Sequence, residues 1–319
     1  MPRSVFYILL ILVTSAAAQD CTQTVPVVLA DRETGVRIGP LTTEMVKASM
    51  GEAPLPISGT TRITAGRILV LIDESGSMSE TRDPYKGRAL TTVKLTLNDL
   101  VAALPPGISI EFGLFNKQWA FSDGFASDPT ELRKNLAETI VRFGKRGEGR
   151  TALRDALHHA LLRFGTPQPG DSLLLLTDGG DNTSMLATRD LEHDFRVAHV
   201  RLLIIMVDES SPAPEELMDH DWVEELAKNT GGTYLTVDAT NQSWGDKKDH
   251  LRNVAMIRRF WNDRVLGTDG IQVLVPSSLT KETKWKLSVN RDADPRLKHA
   301  AIIYPDRLSP CPVATPAAH

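Results

Sequence analysis

The chain has 319 residues, 41% of them apolar, and a formal net charge of −4. That length supplies one large or two modest domains with ample core, and the mildly acidic balance leaves no basic footprint for nucleic acid. Only 6% of residues are aromatic, so base-stacking platforms are not indicated either.

Residues 1–18 read as a cleaved secretory signal. Arg3 gives a positive start, Phe6 to Val13 an apolar core, and Ser15-Ala16-Ala17-Ala18 a small-residue exit, with cleavage expected after Ala18. The core is far shorter than the ~20 residues that span a bilayer, and no transmembrane stretch follows it. A lipid anchor wants its cysteine at the first mature position, whereas Cys21 comes slightly later. Cys21 and Cys311 are the only cysteines and bracket the mature chain. An even count in an exported protein suits a disulfide, here closing nearly the whole chain; the alternative is two thiols on frayed ends.

The segment 19–65 reads as β-rich. Residues 25–30 predict a strand, 31–35 a turn and 36–38 a partner strand. The spacing over 41–47 predicts a short helix, and Pro54, Pro56, Ser58 and Gly59 predict a break in regular structure.

From 66 to 265 strands and helices alternate. The apolar run 68–72 reads as a strand buried on both faces. A helix over 86–104, a strand over 108–115 and a short antiparallel edge over 118–121 follow. Leu132, Leu136, Ile140 and Phe143 share one helical face, and 151–164 repeats that spacing. Further strands are expected at 172–176, 200–207 and 232–237, and helices at 186–198, 215–228 and 247–265. Such alternation means right-handed crossovers and a parallel sheet with helices on both faces. After residue 266 come three short strands, 271–275, 285–289 and 301–304. These are expected to pack with 19–65 as one β-rich layer into which the α/β unit is inserted.

In open α/β sheets, ligands sit beyond the carboxyl ends of the strands. Asp73, Ser75 and Ser77 lie at alternate positions just past the strand 68–72, and Asp178 just past 172–176. Thr151 opens a helix in Gly149-Arg150-Thr151-Ala152-Leu153-Arg154-Asp155-Ala156-Leu157. Two carboxylates with three hydroxyls suit a hard divalent cation that keeps water or an outside oxygen ligand. Magnesium fits best, with manganese and calcium as alternatives; zinc normally wants His or Cys. The bland alternative for Asp73-Glu74-Ser75-Gly76-Ser77 is a helix-capping turn.

The stretches DESGS, GRTALRDAL and LLLLTDGGDN, in this order, resemble the three signatures of the von Willebrand factor A domain across about residues 67–265. The resemblance implies a Rossmann-like, doubly wound, mostly parallel six-stranded sheet bearing a metal-ion-dependent adhesion site. It implies that Ser75, Ser77 and Thr151 touch the metal, and that Asp73 and Asp178 act directly or through water. It also implies a protein partner whose Asp or Glu completes the octahedron. The layout is similar, more loosely, to exported bacterial proteins in which such a domain sits between β-rich flanks.

Other residues are expected to be bystanders. His158 and His159 are helical neighbours that diverge and cannot share one metal. Ser75 lacks the glycine-flanked elbow of a hydrolase nucleophile, and 144–149 lacks the G-K-[ST] ending of a phosphate loop. That basic turn is expected to rim the metal face. Asp155 and Asn182 are expected to brace the loops, and Glu74 to be a solvated loop side chain. Two acceptor patterns for glycosylation occur, at 182–184 and 241–243. The expectation is therefore an exported, metal-dependent binding module that is not an enzyme. A metal-dependent hydrolase and a structural subunit with a loop-ordering metal are the alternatives.

Overall fold

The computed structural model describes residues 20–78, 84–143, 150–208, 214–239 and 247–311. The signal segment 1–18, the basic turn 144–149 and the acceptor pattern 241–243 lie outside the described residues.

The α/β layer is built around β5 (Arg67–Asp73), buried at six of its seven positions. Because side chains alternate along a strand, its residues divide between two cores. Ile68, Val70 and Ile72 face α1 (Pro84–Val101) and α2 (Pro129–Phe143), together with α6 (Lys247–Phe260). Leu69 and Leu71 face α3 (Leu153–Arg163), α4 (Thr188–Ala198) and α5 (Pro214–Asn229). Helices on both faces explain why this strand reads as an unbroken apolar run.

The remaining strands of the sheet are β6 (Ser109–Phe115), β7 (Trp119–Phe121), β8 (Ser172–Thr177), β9 (Arg201–Asp208) and β10 (Thr233–Asp238). Their order is β10-β9-β8-β5-β6-β7. All pairings are parallel except the β6–β7 edge. The fold class is thus Rossmann-like and doubly wound, with six strands. The chain leaves β5 toward β6 and leaves β8 toward β9, in opposite directions, so the crevice for a ligand opens at the carboxyl ends of β5 and β8.

Both ends of the chain form the β-rich flank. β1 (Cys21–Asp31) lies between β11 (Gly267–Val275) and β14 (Ala300–Ile303), with β4 (Ile57–Thr64) on the far side of β11. A second sheet pairs β2 (Val46–Met50) with β3 (Ala53–Leu55) and β13 (Lys286–Val289). A two-stranded ribbon joins β12 (Thr283–Lys284) to β15 (Arg307–Leu308). Their shared core includes Val27, Leu29, Ile271, Val273, Trp285 and Leu287. Cys21 and Cys311 are bonded, with S–S 2.09 Å and a sequence separation of 290. Among the described residues no helix is long and apolar enough to cross a membrane.

Four local expectations are corrected. The helix expected over 41–47 is only the 3-10 turn Thr43–Met45, after which the chain enters β2. Val46 and Ala48 bury their side chains at alternate positions while the backbone pairs with β13, and that outweighs the helical spacing. The break expected over 54–59 is two strands. Pro54 sits in the edge strand β3, where a missing N–H costs nothing, and the Pro56 carbonyl accepts from the Leu274 N–H at 3.0 Å. Residues 36–38 make only one bridge, Ala30 to Arg37, with the Asp31 N–H donating to the Val36 carbonyl and the Ile38 N–H to the Leu29 carbonyl, each at 2.9 Å. The last helix is regular to Phe260 and widens to a π turn over Trp261–Val265 before β11.

Candidate metal centre

β5 delivers Asp73 to the crevice with its side chain fully buried. Its Oδ1 accepts from the Ser75 N–H at 2.8 Å, and its Oδ2 accepts from the Thr177 hydroxyl at 2.8 Å. One bond comes from its own loop and the other from the neighbouring strand β8, so the carboxylate is fixed in direction. The Glu74 N–H donates to the Phe115 carbonyl of β6 at 2.7 Å, which steers the chain across the sheet end. A 3-10 turn, Gly76–Met78, follows, anchored by Met78 in the core. It brings the Ser75 and Ser77 hydroxyls to 3.1 Å of one another, the first buried and the second exposed.

Asp178 follows β8 directly and is 6% exposed. The chain turns away at Gly179, whose φ of 88° lies in the region that favours glycine. Burial, and then the charge of Asp178, push the Asp73 carboxyl up to about 8. The two acids therefore face one another electrostatically at the switch point.

Thr151, 4% exposed, sits two residues before α3 and does not itself begin the helix. Its N–H donates to Asn182 Oδ1 at 2.9 Å, and its carbonyl accepts from the Asn182 and Thr183 N–H groups at 3.0 and 3.1 Å. The Ala152 N–H donates to the Asn116 carbonyl at 2.8 Å, tying the same segment to the turn after β6. Asp155 accepts from the Met185 and Leu186 N–H groups at 3.0 and 2.9 Å, and Arg154 pairs with Asp181 at 2.9 Å. Asp155 and Asn182 thus hold the segment around Thr151 against the loop after β8, as bracing residues do.

The donor set suits a hard cation. Asp73 makes no ion pair with Lys, Arg or His among the described residues, and the nearby Lys94 ammonium goes to Glu74 instead. Glu74 is therefore paired and not merely solvated. Among the described residues no three His, Cys, Asp or Glu gather as a metal site. A cation here would rest on two carboxylates and on hydroxyls, which favours oxygen-seeking ions over zinc. A divalent charge would offset the repulsion between Asp73 and Asp178. His158 and His159 are engaged elsewhere: His158 Nδ1 lies 2.7 Å from Asp194 Oδ2, and His159 stacks on Trp119 with ring centroids 4.2 Å apart.

No protein-family model and no curated protein matches the sequence. Solved structures with a similar course include BatB from Bacteroides thetaiotaomicron, 17% identical with a TM-score of 0.41, over 59% of this chain and 98% of that one. They also include proximal thread matrix protein 1 from the mussel byssus with a zinc-occupied MIDAS motif, 16% identical with a TM-score of 0.44. That match covers 67% of this chain and 50% of the mussel chain, so the chain spans about half the length of that protein. A third is the ArnB paralog VWA2 from Sulfolobus acidocaldarius, 14% identical with a TM-score of 0.42, over 91% of this chain and 76% of that one.

Two residues at this centre escaped the sequence reading. Thr177 stands next to Asp178 at the strand end, and the adjacency of β5 and β8 would have exposed its bond to Asp73. Asn116 is buried in a turn, with its Nδ2 lacking an acceptor among the described residues. No local pattern marks it.

Proposed function

We propose that this protein is an exported, metal-dependent binding module whose cation, magnesium in preference to manganese or calcium, is completed by an acidic side chain of a protein partner. The carrying observation is the Asp73 carboxylate: fully buried, clamped by Ser75 and Thr177, and without a cationic side-chain partner among the described residues. Ser75, Ser77 and Thr151 are assigned as hydroxyl ligands, with Asp73 and Asp178 binding directly or through water. A bound divalent ion supplies positive charge and an open coordination position, and a partner carboxylate is attracted to both. Seating on the rigid ends of β5 and β8 keeps the donors in place before the partner arrives.

The reading assigns no catalytic role. Ser75 Oγ lies against Ser77 Oγ, and both α3 histidines are engaged by Asp194 and Trp119, which supports a binding reading over one with a histidine base. Export is supported by the Cys21–Cys311 bond, since disulfides persist in oxidising compartments.

Calorimetric titration of magnesium into EDTA-stripped protein tests the metal reading, with Asp73→Ala as control. Saturable uptake at one ion per chain that Asp73→Ala abolishes is expected. Uptake that survives this substitution, or none in the wild type, refutes it. Capture of a partner that ignores chelation refutes the adhesion half alone.

A further inference from the structure

At the amino ends of the parallel strands, opposite the metal loops, the α/β layer and the flank enclose a cleft of about 1050 Å³. That is ample for a small molecule, and boundaries between packed units are common ligand sites. Apolar surface comes from both sides, with Pro26, Ile63 and Pro305 from the flank facing Phe195 and Leu226 from α4 and α5.

Arg201, the first residue of β9, lines this cleft and is only 4% exposed. Its two Nη groups donate to neutral acceptors, the Ser172 hydroxyl at 2.9 Å and the Arg264 carbonyl at 3.3 Å. Its Nε has no acceptor, and no carboxylate pairs with it, among the described residues. Its charged neighbour is another cation, Arg62; burial, and then that neighbour, bring the guanidinium down to about 10. A buried charge without a counter-ion is costly.

Three carboxylates of the cleft are held in ion pairs. Asp171 is held by Arg67 at 2.6 Å, Glu282 lies 3.2 Å from Arg196, and Asp306 lies 3.6 Å from Lys284. Glu192, Glu225, Arg189 and Arg307 also line it, without ion pairs among the described residues. The charges that line the cleft sum to zero, but Arg201 is the buried one among them with neither a carboxylate partner nor an acceptor for its Nε among the described residues.

We infer that this cleft binds a small molecule carrying one oxyanion, a carboxylate or a phosphate, on an apolar body. The oxyanion sits on Arg201, where charge-assisted bonds to a guanidinium are strong. The body lies against Pro26, Ile63 and Pro305, so the ligand touches both the α/β layer and the flank. The site is independent of the metal centre.

The experiment uses the signal-processed chain in EDTA, so that no anion is taken up by a metal. Octanoate and inorganic phosphate are titrated by calorimetry and thermal melting, with chloride at matched ionic strength as reference. Saturable binding of at least one probe is expected, weakened tenfold or more in Arg201→Gln. Thr24→Trp fills the cleft from an exposed position on β1 and leaves Arg201 in place, so it serves where Arg201→Gln fails to fold; it is expected to abolish binding. Octanoate alone identifies a carboxylate ligand, and phosphate alone a phosphate. The inference falls if neither probe saturates, if chloride reproduces the effect, or if Thr24→Trp binds as the wild type does. Magnesium uptake by the same preparation reports separately on the metal reading.

Discussion

Removing the terminal disulfide offers a quantitative test of how the flank is held. The bond joins residues 290 apart, and the chain-entropy relation for so long a loop gives about 5–6 kcal/mol at 25 °C as an upper figure. Unfolding entropy scales at about 2 cal/mol/K per residue, or roughly 0.6 kcal/mol/K for about 300 residues. The double substitution Cys21→Ser/Cys311→Ser is therefore expected to lower Tm by up to about 9 °C, a ratio of those two estimates. Residual compactness of the unfolded chain makes the observed drop smaller. The Gln23 side chain still donates to the Ser309 carbonyl at 2.7 Å, so the termini stay together in the folded variant. Scanning calorimetry gives the Tm, and hydrogen exchange locates the loss. Amides of β1 and β11 should lose protection before those of β5 and β8. A Tm change under about 1 °C would refute the entropic account, and loss of protection starting in β5 would refute the assignment to the flank.

Two further substitutions probe the loops and the core. Asn182→Ala removes the acceptor of the Thr151 N–H and is expected to weaken magnesium binding by about 10–100-fold, as loss of ligand-orienting partners does; calorimetry showing unchanged affinity would count against the bracing role. Arg163→Met leaves Glu111, 1% exposed and paired to Arg163 at 2.6 Å, without its cation, at an expected cost of about 2–4 kcal/mol at neutral pH. Burial already holds the Glu111 carboxyl above its ordinary range, against the lowering effect of Arg163. Removing Arg163 raises it further, so the folded variant retains a proton that the unfolded chain releases. The deficit is then absent below the unfolded pKa of about 4.3 and grows as pH rises toward the folded pKa. Urea titrations at pH 4 and pH 7 check this, and equal deficits at both would refute it.

The α/β layer was legible because its signals are local. The runs at 68–72 and 172–176 are apolar throughout since helices cover both faces of β5 and β8, and the helix spacings follow from one-sided burial. The flank was harder to read in detail. Val46 and Ala48 are buried by pairing β2 with β13, some 240 residues later in the chain, and no local spacing reports so distant a partner. At the candidate metal loops, Ser75 and Ser77 lie beside Asp73 in sequence, and the Ser75 N–H bonds to its carboxylate while the two hydroxyls meet. Thr177 reaches the same carboxylate only across the β5–β8 pairing, so topology was needed to find it.

The pairing of β1 with β11 also sets an order of assembly. β1 emerges about 250 residues ahead of the strand it lies against, a wait of roughly 10–50 s at ordinary rates of synthesis. Every strand of the parallel layer appears in that interval, so its core can close while β1 is still searching. The flank is then the last part to form, and the covalent link between the two ends seals a body whose centre has already set.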